Sequence, residues 1–523
     1  MRLLIAAIAS LFVIAIPAAA QEWHEAETAH FIVKSRDSES ETRDFAETME
    51  RFDRGLRFLN NLPEDHVEAS RANKPVIYRF GDYIDMSRMY GNSEAGVGGF
   101  FISRAGDSVA FAPARGQRSN NSRQRRDRTE SIEQVLLHEY THYFMMMNYP
   151  AAYPRWYSEG YAEMVSTMRF EEDGSFHIGD PPQSRGQAIF NLPASRLDEM
   201  LDAERKLTGY DAFQHYVTGW LFTHYLSFDP AREAKLREYL VALGNGEDSL
   251  TAATRIFGDL GTIQRDLVGY KRGPFPGYDV RPNVTTAPQV TVREITGAEK
   301  DMLDAEMRLR RGVTRDDARK IAQDLQGMVA QYPQNAHAYA LLAEAEYDSK
   351  NYAAAATAAQ RATELDPQSP DAWLYRARTA IKMAESDPAY FDTARGYLAT
   401  ARDIDADDPR PLIDYYQTYW EENDGADVPE QAIIALEQAF DEAGDDGYYR
   451  MLLGRQLLLE SRFSDARAVL LPALFAGHKI EGEKEDDFTP GKLFDAIEAR
   501  DRETAVTLIN DVFEKAERDE DDD

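Results

Sequence analysis

The sequence contains no cysteine. Disulfide staples, thiolate nucleophiles and Cys-based metal sites are therefore excluded, and any bound metal has to be held by His, Asp or Glu. Positive charge is also short: Lys and Arg number 59 against 91 Asp and Glu, a formal net charge of −32. The acidic excess is concentrated beyond residue 300. Such a surface repels nucleic acid and anionic lipid, so neither is expected as a partner. Long apolar runs are missing as well. The best one, Leu3 to Ile16, falls short of the ~20 residues of a spanning helix. With Arg2 before it and Ala18-Ala19-Ala20 before Gln21, residues 1–20 read as a cleaved signal peptide. The expected location is periplasmic or secreted, with no membrane span left after cleavage.

At 523 residues the chain is too long for one ordinary core, and two or three domains are expected. His30-Phe31-Ile32-Val33 and Pro75 to Phe80 read as strands. Glu41 to Leu59 reads as a helix with Phe45, Met49, Phe52 and Leu56 on one face. Val97–Ile102 and Ser108–Ala112 flank Arg104-Ala105-Gly106-Asp107 and read as a hairpin. A polar, Arg-rich loop is expected from Arg115 to Arg128, then helices over Ser131–Asn148, from Arg155, over Tyr210–Ser227 and over Ala231–Leu243. Mixed strands and helices over 21–275 give an α+β pattern. Arg272 to Gly277, with Pro282 and Pro288, marks residues 276–295 as a linker, and a cut there is expected to release two folded pieces.

Past residue 296 the pattern becomes repetitive. Tyr339, Leu342, Ala343, Tyr347, Tyr352, Ala355, Ala362 and Pro367 stand at the offsets of a unit about 34 residues long, and this stretch resembles a tetratricopeptide repeat. A looser unit begins at Pro370 with Trp373, Ala377, Ala394 and Ala401, and Gly454, Ala466 and Ala473 repeat the spacing. A generic helical bundle with Ala-rich seams is the plainer alternative. Residues 296–513 are assigned to helical repeats and 514–523 to an acidic disordered tail.

The chemistry lies in Leu136-Leu137-His138-Glu139-Tyr140-Thr141-His142. Histidines four residues apart share a helix face, so both imidazoles can reach one metal ion. Glu139 lies about 100° round the helix from His138, beside the ion but not on it, where a general base is needed. A catalytic zinc site takes three protein ligands and leaves a position for water. The next helix offers the third in Pro154-Arg155-Trp156-Tyr157-Ser158-Glu159-Gly160-Tyr161-Ala162-Glu163.

HExxH followed by a P-x-W-x-x-E-G-x-A-E segment resembles the gluzincin superfamily of zinc metallopeptidases, and within it the peptidase-MA-like domains of bacterial exported proteins. With the repeats, the resemblance implies an α+β zincin-like catalytic domain followed by an all-α tetratricopeptide-like helical repeat domain. It implies Zn2+ as cofactor, Glu159 as third ligand beside His138 and His142, and Glu163 as the carboxylate behind a ligand histidine. It implies that the strand before the motif helix forms the sheet edge that pairs with extended substrate. Gly98–Ser103 and Ser108–Ala112 both qualify, and each also reads as an ordinary hairpin strand.

It further implies an oxyanion donor on a downstream helix. Tyr216-Val217-Thr218-Gly219 keeps the tyrosine and glycine of a Y-x-K-G segment but has Thr218 for the lysine, while Tyr216 and Trp220 fit a Y-x-x-x-W pattern. His215 and His224 compete for the role, and a buried stripe of Phe213, Tyr216, Trp220 and Tyr225 is the plain structural alternative. Aminopeptidases of the superfamily carry G-x-M-E-N before HExxH. Glu94-Ala95-Gly96-Val97-Gly98-Gly99-Phe100 lacks it, so aminopeptidase specificity is not implied.

The expected function is a zinc-dependent peptidase, an endopeptidase whose repeats bind protein substrates or partners. The rival is an exported repeat scaffold with a vestigial zinc domain, and a third option is hydrolysis of a non-peptide amide. His24, His30 and His66 precede the motif without ligand spacing, His337 and His478 belong to the repeat region, and His177 lies in a polar Gly/Asp stretch, where a fourth ligand would close the site.

Overall fold

The computed structural model describes residues 22–64, 68–91, 98–114, 122–182, 188–191, 193–202, 209–475 and 490–522. The expected signal peptide, His66, His478 and most of the Glu94–Phe100 segment lie outside them.

Five strands, interleaved with two α-helices, occupy the chain up to Ala112: β1 (Trp23–Glu27), β2 (Ile32–Ser35), β3 (Val76–Arg79), β4 (Phe100–Ile102) and β5 (Val109–Ala112). A small second sheet holds β6 (Arg169–Phe170), β7 (Phe176–Ile178) and β8 (Tyr278–Val280), and β9 (Thr291–Ile295) returns to the first. The main sheet runs β4-β5-β3-β2-β1-β9, with β2, β3 and β5 parallel and β4 antiparallel at one edge. The parallel strands are buried throughout, as strands covered on both faces must be. Their alternation serves two cores. Val33, Ile77, Ala110 and Ala112 face a cluster with α1 (Glu39–Leu59) and α3 (Ser122–Asn148). Ile32, Val76, Tyr78, Val109 and Phe111 face another with Met86 and Met89 of α2 (Tyr83–Tyr90).

Helix α1 begins where Ser38 and Glu41 close a reciprocal cap, and it buries Phe45, Met49, Phe52 and Leu56 as the spacing predicts. Helix α3 begins at Ser122, inside the expected Arg-rich loop, so residues 122–128 are helical rather than loop. Next come α4 (Arg155–Val165), α5 (Leu197–Met200), α6 (Gly209–Ser227), α7 (Pro230–Gly244), α8 (Ser249–Phe257) and α9 (Leu260–Tyr270).

The expected linker over 276–295 is not one. It carries β8, paired with β7, and β9, paired with β1 over Thr291 to Ile295. Pro276 precedes β8, and Pro282 and Pro288 sit between the two strands, where no ladder hydrogen bond is required of them. The next helix, α10 (Gly297–Arg311), packs Leu303 and Met307 into the second sheet core, so the boundary at 296 also dissolves.

From there the chain is built of antiparallel helix pairs packed like tetratricopeptide repeats: α10 with α11 (Arg315–Gln331), α12 (Ala336–Asp348) with α13 (Tyr352–Leu365), and α14 (Pro370–Ala384) with α15 (Ala389–Ile404). Then come α16 (Arg410–Glu422) with α17 (Glu430–Glu442), and α18 (Gly447–Leu459) with α19 (Phe463–Phe475). Successive first helices α10, α12, α14 and α16 also pack on one another, forming an inner row. Small residues allow the close approach: Ala338, Ala343, Ala355, Ala359 and Ala362 are buried, and a Cβ on Gly454 would lie 2.3 Å from Leu470. Helices α20 (Pro490–Glu498) and α21 (Arg502–Asp522) finish the chain. The tail expected to be disordered over 514–523 is helical to Asp522, in keeping with its run of strong helix formers Glu, Lys, Ala and Arg.

Candidate metal centre

Helix α3 is seated by Ile132, Leu136, Tyr140 and Phe144, four residues apart and buried against α1 and the sheet. His138 and His142 lie two positions on, about 200° round the same helix. Helix α4 is seated by Trp156, which is 1% exposed and packs on Phe222 and Tyr239. Its other anchor is backbone contact. A Cβ on Gly160 would come within 2.4 Å of the Gly219 carbonyl, and one on Gly219 within 2.5 Å of the Trp156 carbonyl. Only glycine at both positions lets α4 and α6 meet so closely.

This packing brings three side chains from two helices together. His138 Nε2 is 3.1 Å from Glu159 Oε2, His142 Nε2 is 3.2 Å from His138 Nε2, and His142 Nε2 is 3.5 Å from Glu159 Oε2. Ligand atoms held about 2.0–2.1 Å from one tetrahedral zinc are about 3.3 Å apart, so the trio fits that ion. Among the described residues no other trio of His, Asp or Glu brings ligand atoms together in this way. A cleft of about 270 Å3 opens beside it, lined by His142, Glu159, Met146, Ala151 and Tyr153.

The surrounding carboxylates set the charge. Burial pushes the His138 imidazole down, but the Glu159 hydrogen bond and the charges of Glu163, Glu159 and Glu139 outweigh it and hold the group up at about 9. Burial also opposes ionisation of Glu159, yet its hydrogen bonds to His138 and His142 hold that carboxyl far below the usual range.

Glu163 is buried, with Oε1 3.7 Å from His138 Nδ1: it stands behind that histidine, beyond hydrogen-bond length. Behind His142 the partner is Ser158, whose Oγ lies 3.1 Å from Nδ1, and the Arg155 Nε lies 3.9 Å from Glu159 Oε1. Neither Ser158 nor Arg155 is singled out by the sequence reading. The available signal was position: Ser158 precedes the ligand glutamate and Arg155 lies one turn before it. Glu139 stays outside the trio, close enough for its charge to act on His138.

Tyr216, half-buried on α6, places its ring centroid 6.0 Å from that of His138. Its neighbours in the expected aromatic stripe divide: Trp220 and Tyr225 are buried, whereas Phe213 is exposed. His224 is engaged elsewhere. Its Nδ1 meets the Tyr270 hydroxyl at 2.8 Å, its Nε2 meets the Gly179 carbonyl at 3.0 Å, and its ring stacks on Phe228. Burial pushes its pKa down to about 4, and with both ring nitrogens engaged by Tyr270 and Gly179 it serves as a packing histidine. His177 pairs with Asp279 across β7 and β8 and is not in the metal trio.

Of the two candidate edge strands, β4 from the Gly98–Ser103 stretch lies at the edge, and β5 from Ser108–Ala112 is interior, between β4 and β3. Gly99 approaches Val135 of α3, and Phe101 meets Tyr143 at 5.0 Å between ring centroids, so β4 lies along the motif helix.

No family model matches the chain, and no curated protein is similar to it. Solved structures similar to part of it include MamA 41-end from Desulfovibrio magneticus RS-1, at 16% identity and a TM-score of 0.27, covering 36% of this chain and 97% of that one. Another is TTC0263, a thermophilic TPR protein in Thermus thermophilus, at 15% identity and a TM-score of 0.28, covering 38% of this chain and 95% of that one. Likeness at this level identifies no function for the chain.

Proposed function

We propose that the chain is an exported zinc-dependent peptidase of the gluzincin type, with His138, His142 and Glu159 as the metal ligands. The observation that carries the reading is the convergence of those three side chains at zinc-like spacings beside a cleft. Bound there, zinc supplies a Lewis acid that makes water more acidic and polarises a carbonyl. Glu139 takes the proton from water at its carboxylate and delivers it to the leaving amine. Tyr216 donates its phenol O–H to the oxyanion that water attack creates. Glu163 and Ser158 steady the ligand imidazoles from behind. A peptide substrate lies extended along β4, and the helical array binds proteins. The apolar stretch from Leu3 to Ile16 carries the export reading.

A second reading is favoured by the helical array itself, which occupies the chain from Gly297 onward: a protein-binding scaffold in which the metal domain does no chemistry. Incubating the full chain with a peptide library, with and without a chelator, separates the two. The peptidase reading expects cleavage in wild type, none with chelator and none in Glu139→Gln. Partner binding with no cleavage under any metal loading would instead establish the scaffold.

A further inference from the structure

The inner row of first helices is the surface on which a repeat array would receive a peptide. In this molecule that surface meets another part of the same chain. The turn between β4 and β5, Ser103 to Ser108, reaches from the sheet edge into the row. Arg104 donates to the carbonyls of Arg310 at 2.7 Å and Arg311 at 3.1 Å, the last turn of α10. Asp107 pairs with Arg310. Ser103 donates to Asp445, and the Ala105 amide donates to Asp446 at 2.9 Å. Asp446 also caps α18 through the amides of Tyr448 and Tyr449. Ala105 is 3% exposed and belongs to the repeat core with Tyr416, Ala443 and Leu453. Gly106, at φ +64°, leaves no room for a side chain: a Cβ would lie 2.8 Å from Arg410 and 2.9 Å from Asp408. The turn thus spans from α10 to α18 and is fixed by charge, hydrogen bonds and apolar burial together.

We infer that the ligand of the inner repeat surface is this chain's own β4–β5 turn, so that the array works as a clamp on the edge strand beside the histidine helix. The clamp has a direct path to the candidate site. From the held turn, β4 runs back along α3, where Gly99 meets Val135 and Phe101 meets Tyr143, on either side of His138 and His142. A protein that bound the inner row would have to displace the turn and would loosen β4. Outside partners are left with the outer faces of the second helices.

The clamp itself does not depend on the peptidase reading; only its consequence for substrate does. The test uses the full chain, which has no cysteine to interfere. Ser103→Cys with Asp445→Cys, treated with a short bis-maleimide, should give an intrachain crosslink between the two positions in most molecules. Both thiols singly labelled in a folded monomer would overturn the inference. In a second arm, Asp107→Arg should raise amide exchange over Phe100 to Ala112 at least tenfold, with exchange in α1 unchanged. Adding Arg310→Asp should restore most of the protection. Unchanged exchange in Asp107→Arg, or no rescue by the swap, would also overturn it. Peptidase activity enters neither readout, so failure of the clamp and failure of the zinc chemistry are distinguishable.

Discussion

His138 sits among Glu159, Glu163 and Glu139, and their charge holds its proton to about pH 9 in the metal-free chain. A metal takes the neutral imidazole, so uptake at pH 7 must expel that proton. Zinc affinity should therefore rise about tenfold per pH unit from 7 toward 9, with about one proton released per ion by calorimetry in buffers of different ionisation enthalpy. Flat affinity over that range would contradict the charge assignment. The sign for stability is the opposite. A pKa raised from the ordinary ~6.5 gives the metal-free fold a contribution that is complete below pH 6.5 and lost as pH passes 9. At Tyr216, replacement by Phe removes one hydroxyl and little packing, so kcat should fall about 100-fold with KM little changed. An unchanged kcat would leave the tyrosine as a packing residue. The ligand pair was legible because four-residue spacing fixes a helix face. Ser158 was not, because its role depends on which way the His142 ring turns.

Helices α4 and α6 owe their contact to Gly160 and Gly219. Gly160→Ala would put a methyl 2.5 Å from Thr223 Oγ1 and closer still to the Gly219 carbonyl, forcing the helices apart at a cost of about 1–3 kcal/mol. Glu159 moves with α4, so zinc affinity should fall together with stability. Gly244→Ala, where a Cβ meets nothing within 4 Å, is the matched control and should be neutral or slightly stabilising. Equal behaviour of the two variants in denaturation and zinc titration would contradict the close-contact account. A one-sided apolar face made α1 readable to within a few residues, and the repeat offsets of Tyr339 to Pro367 did the same for the pair α12–α13. Two strands escaped: β1, Trp23 to Glu27, carries a histidine and two glutamates and shows no apolar run, and β9 lies after prolines that mark a loop. Its status as a strand comes from pairing with Trp23 to Glu27, more than 260 residues away in sequence.

At the scale of the whole molecule, the two halves are laced together. Besides β9 and the clamped turn, Glu306 of α10 receives Lys34 at 2.6 Å and the Tyr78 hydroxyl at 2.7 Å under the sheet. A cut between β8 and β9, expected from composition to free two pieces, should instead leave them associated. A protease site inserted after Ala287 tests this: the nicked halves should elute together by size exclusion without denaturant, and separate elution would show that the lacing is weak. Asp445 adds a pH signature. Burial pushes its carboxyl up to about 6 against the Ser103 hydrogen bond. Its stabilising contribution is complete below the unfolded value of ~3.9 and is lost as pH rises through about 6. Asp445→Asn should match wild type near pH 4 and exceed it in stability at pH 7. A difference that does not change with pH would mean that the carboxyl is not desolvated. No pattern in the sequence announces this docking, because it joins residues more than 200 positions apart.

The metal centre is tested by the metal content of the purified full-length chain, measured by plasma mass spectrometry before and after dialysis against zinc. About one zinc per chain is expected in wild type and in Glu139→Gln, and none in His138→Ala or His142→Ala. A wild-type chain that carries no zinc and takes none up, or a His138→Ala chain that keeps it, would contradict the metal centre and the reaction built on it.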